Sequence, residues 1–198
     1  MTWRIRTREK ILFLTFDDGP VPEATIPALD LLKRFQAKGT FFCVGENIKK
    51  HPDLLACISQ EGHLAGNHSF SHANGWRVPV QEYLDDVGRC REILAANTPQ
   101  NDRAAIFRPP YGKLKWSQFL LLKKQYRMVM WDVLSKDWQQ ERTAESCYQR
   151  VIRKAVPGSI IVFHDSIKAR ERMIPALEKT LQHFSQQGFR FESLAGYI

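Results

Sequence analysis

The stretch Ile11-Leu-Phe-Leu-Thr-Phe-Asp-Asp-Gly-Pro20 decides the fold class of this chain. Its first six residues are apolar except for Thr15, and a run of this length that ends in Gly and Pro is typical of a fully buried parallel strand. Asp17 and Asp18 follow the run directly. In α/β sheets the active site forms at the carboxyl ends of the strands. The stretch therefore predicts a buried strand that delivers two carboxylates to a site.

The same arrangement recurs along the chain, because four more apolar runs end in residues that bind metals or move protons. These runs and the residues that follow them are His63–Gly66 before His68 and His72, Ala104–Phe107 before Arg108, Met128–Trp131 before Asp132, and Ser159–Phe163 before His164. Polar chemistry at the ends of successive strands points to one shared site on one face of the sheet.

Strand and helix patterns alternate, which predicts a mostly parallel sheet with right-handed crossovers. With Thr40–Val44 and Phe189–Phe191 the chain has seven strand candidates, one short of the eight of a standard (β/α) barrel. The first strand is not followed by G-x-G-x-x-G, which argues against a dinucleotide-binding fold. We expect an α/β fold, a distorted or incomplete (β/α) barrel with about seven parallel strands, in a single catalytic domain over residues 1–198.

The amino-acid composition and net charge limit the classes of protein to which this chain can belong. The hydrophobic content of 43% and charged content of 25% are ordinary for a soluble globular protein. Nothing approaches the ~20 consecutive apolar residues of a membrane span. The net charge of +8 suits a solubilising surface better than a nucleic-acid site, because no basic run is interleaved with aromatic residues. We expect a monomer that binds neither nucleic acid nor a membrane interior.

The first ten residues lack the apolar stretch of a secretion signal. We therefore expect a cytoplasmic or membrane-face location, or an extracellular one if a leader has been removed. Four cysteines, Cys43, Cys57, Cys90 and Cys147, form no C-x-x-C pair. We favour four reduced structural thiols, although the spacing leaves a disulfide open.

His68 and His72 have i, i+4 spacing, which predicts that both imidazoles lie on one side of a helical turn. That spacing suits two ligands of one divalent metal. With one aspartate they would form a three-ligand site, whose open position is typical of catalytic metals. The competing interpretation is two ordinary polar histidines near a loop, beside an Asp-Gly-Pro turn.

Together these motifs resemble the polysaccharide deacetylases of carbohydrate esterase family four, a group that includes chitin and peptidoglycan N-acetylglucosamine deacetylases. The resemblance extends from Lys10 to about Phe191. It rests on five motifs, Thr15–Pro20, His68–His72, Arg108–Tyr111, Asp132–Trp138 and Ile161–His164.

The resemblance implies a role for each motif residue. Asp18, His68 and His72 would hold one divalent metal, usually zinc in this family, with cobalt or another divalent ion as alternatives. Asp17 would be the general base, and Arg108 would orient it.

The remaining motif residues would serve the substrate. His164 would protonate the leaving amine, and the Tyr111 backbone N–H would help to stabilise the oxyanion. Val162 would line the pocket for the acetyl methyl group. Apart from the resemblance, Trp138 lies beside Asp137 in a loop and is either a core residue or a wall of a sugar-binding groove. Pro110 is a further candidate for substrate binding.

The chain departs from the family in its fourth motif, which commonly reads Asp-x-x-Asp-Trp and whose first aspartate pairs with the catalytic histidine. Alignment on Asp137 and Trp138 puts Leu134 at that position. Asp132 lies two residues earlier, on the same face of an extended strand. We therefore expect Asp132 to be the partner of His164, the alternative being that His164 has no carboxylate partner.

The function that these motifs imply is metal-dependent removal of acetyl groups from N-acetylated sugars, with chitin, peptidoglycan or a lipid-linked sugar as substrate and acetate as product. One alternative is O-deacetylation of a glycan such as xylan, since the same chemistry serves both. Another is a catalytically weak carbohydrate-binding relative, against which the full set of site residues argues.

Overall fold

The central strand of the computed structural model is β1 (Ile11–Asp17), all seven residues of which are buried. The structure describes residues 1–98 and 105–198. β1 pairs in parallel with β2 (Gly39–Cys43) on one side and with β7 (Ile160–His164) on the other. The opening motif therefore lies in the middle of the sheet, where both edges of its strand are covered.

The remaining strands are β3 (Leu64–Asn67), β4 (Ile106–Phe107), β5 (Arg127–Met128), β6 (Val133–Leu134) and β8 (Arg190–Phe191). Seven parallel strands curl into a partly closed barrel in the spatial order β5-β4-β3-β2-β1-β7-β6, which confirms the predicted fold class. An eighth strand, β8, pairs with the first residues of β1.

Helices surround the sheet and follow most of its strands. Their bounds are α1 (Pro22–Arg34), α2 (Gly45–Lys50), α3 (Pro52–Gln60), α4 (Val80–Asn97), α5 (Trp116–Leu122), α6 (Ala144–Ile152) and α7 (Arg170–Gln186). A single 3₁₀ turn spans Pro110–Gly112.

Side chains point alternately to the two faces of each strand, and the apolar ones pack into two separate clusters. Leu12, Leu14 and Phe16 of β1 pack into the large cluster beneath the helices, whereas Phe13 joins the cluster inside the barrel. Successive strand residues face opposite sides, so Thr15 and Asp17 share the interior face with Phe13. The last residue of this face therefore delivers a carboxylate to the mouth of the barrel.

The N-terminal segment runs beside the sheet between β5 and β7. Thr2 forms an isolated bridge with Val129, and Arg4 forms one with Ser159. Ile5 N–H donates to the carbonyl oxygen of Gly158 at 2.9 Å. This segment therefore lies at the amino end of β7, away from the residues that follow the strand.

Two short elements were absent from the sequence prediction. β6 has only two residues and α2 only six, so neither carries a periodic pattern long enough to recognise. β4 starts at Ile106, and the predicted first residue of that strand, Ala104, lies outside the described residues.

Within the described ranges, no helix combines the length and apolar character that crossing a membrane requires. All four cysteines are free thiols, and Cys43, Cys90 and Cys147 are buried.

Candidate active site

Asp17 and His164 are neighbours at the carboxyl end of the sheet. They are register partners in the parallel pairing of β1 with β7, so their side chains face the same side. Two residues earlier, the register partners are Thr15 and Val162. The predicted general base, Asp17, and the predicted general acid, His164, therefore come from adjacent strands and lie side by side.

Arg108 crosses the barrel interior and fixes one oxygen of Asp17. Its Nη1 donates to Asp17 Oδ1 and to Thr15 Oγ1, each at 2.7 Å. Its Nε and Nη2 donate to the carbonyl oxygens of Val129 and Met130 at 3.3 and 2.9 Å. The guanidinium is fully buried. Because Oδ1 is held in this way, Asp17 presents Oδ2 to the site.

Asp18, His68 and His72 form a cluster suited to a metal ion. One ligand atom from each lies within 4.8 Å of the others. Asp18 Oδ1 is 3.2 Å from His72 Nε2 and 3.8 Å from His68 Nε2. A tetrahedral zinc ion with bonds of ~2.1 Å needs ligand atoms about 3.4 Å apart. The residues therefore fit a divalent cation in both donor type and spacing.

The tautomer of His68 also suits a metal ligand. Its Nδ1 lies 2.7 Å from the carbonyl oxygen of Arg108, so Nδ1 carries the proton and donates. Its Nε2 is then unprotonated and faces Asp18, as in most histidine metal ligands. Burial lowers the pKa of His68 to about 4, although Asp17 and Asp18 oppose the shift. The imidazole is therefore neutral at neutral pH.

The charge of Asp18 is also set by its neighbours. Burial acts to raise the pKa of Asp18, but the hydrogen bond with His72 and the nearby imidazoles of His164 and His68 outweigh it. The net result is a pKa well below the usual range, so the carboxylate is ionised and available to a cation.

The predicted helical turn between the two histidines is wrong. Residues 68–72 form an irregular turn in which Ser69 and His72 have φ values of 64° and 57°. The turn is fastened from α4, where the carboxylate of Asp86 accepts the N–H groups of Phe70 and Ser71 at 2.9 and 3.2 Å. The imidazoles meet because of this turn, with ring centroids 5.2 Å apart.

His164 is paired with Asp137. His164 Nδ1 lies 2.7 Å from Asp137 Oδ1, and the His164 backbone N–H donates to Oδ2 at 2.8 Å. Burial alone would lower the pKa of His164, but the charge and hydrogen bond of Asp137, with Asp18 and Asp17 beyond, raise it to about 9. The imidazole is therefore protonated at neutral pH and can donate a proton.

The predicted pairing of Asp132 with His164 is wrong. Asp132 Oδ2 accepts the Ser159 hydroxyl and Oδ1 accepts the Ile160 N–H, each at 2.8 Å. Parallel register sets Val133 beside Ile161, so Asp132 lies at the amino end of β7. Ile160, at that end of the strand, is four residue steps from His164, or roughly 13 Å. Asp132 therefore has a structural role at the start of β7. Its predicted catalytic role is also wrong, because that role depended on the pairing with His164.

The backbone at Lys136 explains why Asp137, and not Asp132, pairs with His164. Parallel pairing ends at Leu134, and Lys136 adopts a φ of 64°, which turns the chain back toward His164. Arg172 of α7 holds the loop by donating from Nε to the Asp137 carbonyl oxygen at 2.7 Å. The Asp-Trp dipeptide of the fourth motif was the available sequence signal, since it places a second carboxylate a few residues beyond Asp132.

The four residues predicted to bind substrate lie near His72 and His164. Tyr111 is 60% exposed, and its ring packs edge-on against His72 with centroids 4.6 Å apart. Pro110 is buried beside it, and Trp138 packs on the His164 ring with centroids 4.8 Å apart. Val162 is buried two residues before His164 on the same face. The structure thus brings all four to the rim or floor of the mouth.

Left-handed backbone concentrates in the loops of this site. Among residues 1–98 and 105–198, six residues other than glycine have positive φ, and of these Gln36 alone is remote from the site loops. The other five are Asp18, Ser69, His72, Tyr111 and Lys136. Such residues cost of order 1–3 kcal/mol each and persist where the surrounding structure over-determines them. The strain therefore marks the loops that carry the candidate ligands and the other candidate site residues, Tyr111 and Asp137.

Asp165 is a buried site residue whose role the sequence did not reveal. Its Oδ1 accepts the Gly19 N–H at 3.0 Å, and its Oδ2 accepts the Thr25 hydroxyl at 2.6 Å. A Cβ at position 19 would lie 2.0 Å from Oδ2, so only glycine fits there. Burial raises the pKa of Asp165 to about 8, although the Thr25 and Gly19 bonds oppose it. Asp165 thereby fastens the turn that carries Asp18.

The position of Asp132 generates a prediction on stability. Asp132→Ala should lower the free energy of unfolding by about 1–2 kcal/mol, because two hydrogen bonds at the start of β7 are lost. Urea denaturation followed by circular dichroism measures the change. Asp30→Ala is the matched control, since Asp30 is an exposed helical carboxylate with no hydrogen bond to the described residues. Equal stability of the two variants would contradict the structural role.

The chain matches a family model and close relatives. The model of the polysaccharide deacetylase family matches residues 4–130. A peptidoglycan-N-acetylglucosamine deacetylase of Bacillus cereus is 36% identical over 183 residues, which cover 91% of this chain and 66% of that protein. Another protein of that name from the same organism is 31% identical over 198 residues, which cover 98% of this chain and 91% of the relative.

A solved structure agrees with the fold across the whole chain. The crystal structure of a peptidoglycan N-acetylglucosamine deacetylase in complex with 4-naphthalen-1-yl-N-oxidanyl-benzamide superposes with a TM-score of 0.92 at 31% identity. The match covers 100% of this chain and 92% of that one. On the strength of the family model and these relatives, the chain belongs to the polysaccharide deacetylase family.

Proposed function

We propose that this protein is a divalent-metal-dependent hydrolase that removes the acetyl group from N-acetylated sugars and releases acetate. The observation that carries the proposal is the convergence of three groups at the carboxyl end of the sheet: a cluster suited to a metal ion, a carboxylate that Arg108 orients, and an imidazole that is paired with Asp137. Asp18, His68 and His72 would hold the cation, with zinc favoured by two histidines and one carboxylate. When bound, such a cation polarises the acetyl carbonyl and lowers the pKa of water.

Asp17 would accept the proton of the attacking water. Its Oδ2 is 4.0 Å from His68 Nε2, so it borders the cation site without belonging to the three-ligand cluster. Arg108 holds the other oxygen at 2.7 Å, which restricts rotation of the carboxylate. A general base of this kind typically contributes ~100- to 10,000-fold to rate.

His164 would return a proton to the substrate nitrogen. As water oxygen bonds to the acetyl carbon, the C–N bond breaks, and the imidazolium proton passes to the departing amine. An amine is a poor leaving group without that proton, whereas an alcohol from an ester leaves more readily. Against the effect of burial, Asp137 raises the pKa of His164, which keeps a proton available for an amine leaving group.

Tyr111 would stabilise the oxyanion through its backbone. Residue 111 has a φ of 60° in the turn that follows two prolines, which fixes the direction of its N–H. Within residues 1–98 and 105–198, no backbone carbonyl accepts that N–H. Preorganised backbone donors are usually worth more in such a site than in water.

The substrate class follows from the mouth of the barrel and from the relatives. Val162 would meet the acetyl methyl group below His164, while Trp138 and Tyr111 would flank the sugar. Both Bacillus cereus relatives are named as peptidoglycan-N-acetylglucosamine deacetylases. We therefore propose a glycan that contains N-acetylglucosamine-type sugars as the substrate.

The metal requirement gives a direct prediction. Acetate release from chitooligosaccharides or peptidoglycan should fall to background after chelation and return when zinc or cobalt is added, because Asp18, His68 and His72 cannot bind carbonyl oxygen themselves. A coupled acetate assay measures the rate. Full activity after chelation would contradict metal dependence, and release from acetylxylan alone would favour O-deacetylation.

The pairing of His164 with Asp137 predicts a change in pH dependence. The acid must be protonated, so turnover falls as pH rises through the pKa of His164. Asp137→Asn removes the charge that raises this pKa, so the alkaline limb of kcat should move to lower pH by about one unit or more.

Asp132→Asn is the matched control for that experiment, because Asp132 is the other aspartate of the same loop region and lies at the far end of β7. Its pH profile should match that of the unmodified protein. A shift in Asp132→Asn with none in Asp137→Asn would reverse the assignment.

A further inference from the structure

Helix α5 has large apolar side chains on its outer side and a polar one on its inner side. Trp116 is 69% exposed, and Leu121 and Leu120 are 42% and 37% exposed, whereas Gln118 is fully buried. Trp116 and Leu120 are about one turn apart, so with Leu121 they lie on one side of the helix. A surface helix normally has the opposite arrangement. Single exposed apolar residues are ordinary, but a contiguous group of them commonly marks an interaction surface.

Hydrogen bonds on the buried side hold this orientation. Gln118 Oε1 accepts the Lys115 N–H and Gln118 Nε2 donates to the Gly75 carbonyl oxygen, each at 2.9 Å. Lys115 Nζ donates to the Val78 carbonyl oxygen at 2.7 Å. A rotation of the helix that buried Trp116 would leave the amide of Gln118 without these partners, which is unfavourable. The apolar side chains are therefore held outward.

A second exposed indole extends the apolar surface at the start of the helix. Trp76 is 60% exposed, and its Nε1 donates to the Leu114 carbonyl oxygen at 3.3 Å. Lys113 Nζ lies 5.1 Å from the centroid of the Trp76 ring. The polar edge of this indole is thus satisfied by the protein, and its exposed ring has a cation beside it.

Cations lie at both ends of α5, in a segment without acidic residues. Residues 105–131 contain no aspartate or glutamate. Lys113 precedes the helix, and the exposed Lys123 and Lys124 follow its last residue. Among residues 1–98 and 105–198, none of these three ammonium groups has a carboxylate oxygen within 4.0 Å. Their charges are therefore available to an anionic partner.

An anionic lipid bilayer matches both the apolar side chains and the cations. Trp and Leu side chains are stable at the boundary between headgroups and acyl chains, while lysines reach the lipid phosphates. A soluble polyanion would satisfy the lysines alone and leave the indole and leucine side chains in water. An apolar groove on another protein would satisfy the apolar side chains alone. The combination therefore favours a bilayer surface.

We propose that this region, the α5 surface, docks the protein on an anionic lipid bilayer. Its members are four exposed apolar residues and three cations, Trp76, Trp116, Leu120, Leu121, Lys113, Lys123 and Lys124. The inference goes beyond the proposed function, since lipid binding requires no acetate release.

Docking through the α5 surface would bring the candidate active site to the membrane. The turn Pro110–Gly112 lies three residues before α5. It carries Tyr111, whose ring centroid is 4.6 Å from that of His72. The mouth of the barrel would therefore face a substrate held at the bilayer surface.

Co-sedimentation with lipid vesicles tests the α5 surface directly. The unmodified protein should bind phosphatidylcholine vesicles that contain about 30% phosphatidylglycerol, and bind pure phosphatidylcholine at least about tenfold more weakly. Trp116→Ser combined with Leu120→Ser should weaken binding to the mixed vesicles about tenfold or more, because the apolar contact is lost. Lys123→Gln combined with Lys124→Gln should weaken it about five- to tenfold.

Each double variant has a matched control. Arg153→Gln combined with Lys154→Gln removes the same charge from two exposed cations beyond the end of α6. Trp3→Ser removes an indole that is 51% exposed in the N-terminal segment. Both controls should bind the mixed vesicles as the unmodified protein does, and circular dichroism verifies that every variant is folded.

Three results would overturn the proposal. The first is no binding of the unmodified protein to the mixed vesicles. The second is an equal loss of binding in the lysine variant and its Arg153 and Lys154 control, which would indicate attraction by net charge alone. The third is unchanged binding by the Trp116 and Leu120 variant. Self-association that this variant abolishes, without vesicle binding, would assign the surface to a second copy of the chain instead.

Discussion

The buried ion pair between Arg108 and Asp17 is the interaction on which the rest of the site depends. Its guanidinium lies 4.1 Å from the Phe42 ring centroid, inside the barrel and away from water. Removal of one partner from a buried pair leaves an uncompensated charge, which typically costs 3–5 kcal/mol. The pair, with the further bonds to Thr15 and two carbonyl oxygens, therefore fixes both the end of β1 and the direction of its carboxylate.

From that fixed point the fold assigns different surroundings to two adjacent aspartates. Asp17 ends the strand on the interior face, where Arg108 holds it, whereas the left-handed backbone at Asp18 turns the next carboxylate toward His68 and His72. Asp165 and Gly19 secure that turn from behind. The proposed division into a proton acceptor and a cation ligand thus rests on backbone geometry, since the two side chains are chemically identical.

Strand ends and their side chains could be predicted from sequence because each buried run is continuous and stops at Gly, Pro or a polar residue. The partner of His164 could not, because Asp137 reaches it through a positive φ at Lys136, which no strand periodicity encodes. Extending the strand pattern instead favoured Asp132, which the register sets at the wrong end of β7. The histidine spacing indicated two side chains that do come together, but for the wrong local structure, since a turn fastened by Asp86 brings them together.

Zinc titration calorimetry of Asp17→Asn and Asp18→Asn tests most directly whether the fold divides these two carboxylates. Asp17→Asn should bind one zinc ion per chain with nearly unmodified affinity and release almost no acetate, because an amide still fills the space beside Arg108 but cannot accept a proton. Asp18→Asn should bind zinc at least about tenfold more weakly, because a charged ligand is lost. Loss of zinc from Asp17→Asn together with retention by Asp18→Asn would contradict the division of roles.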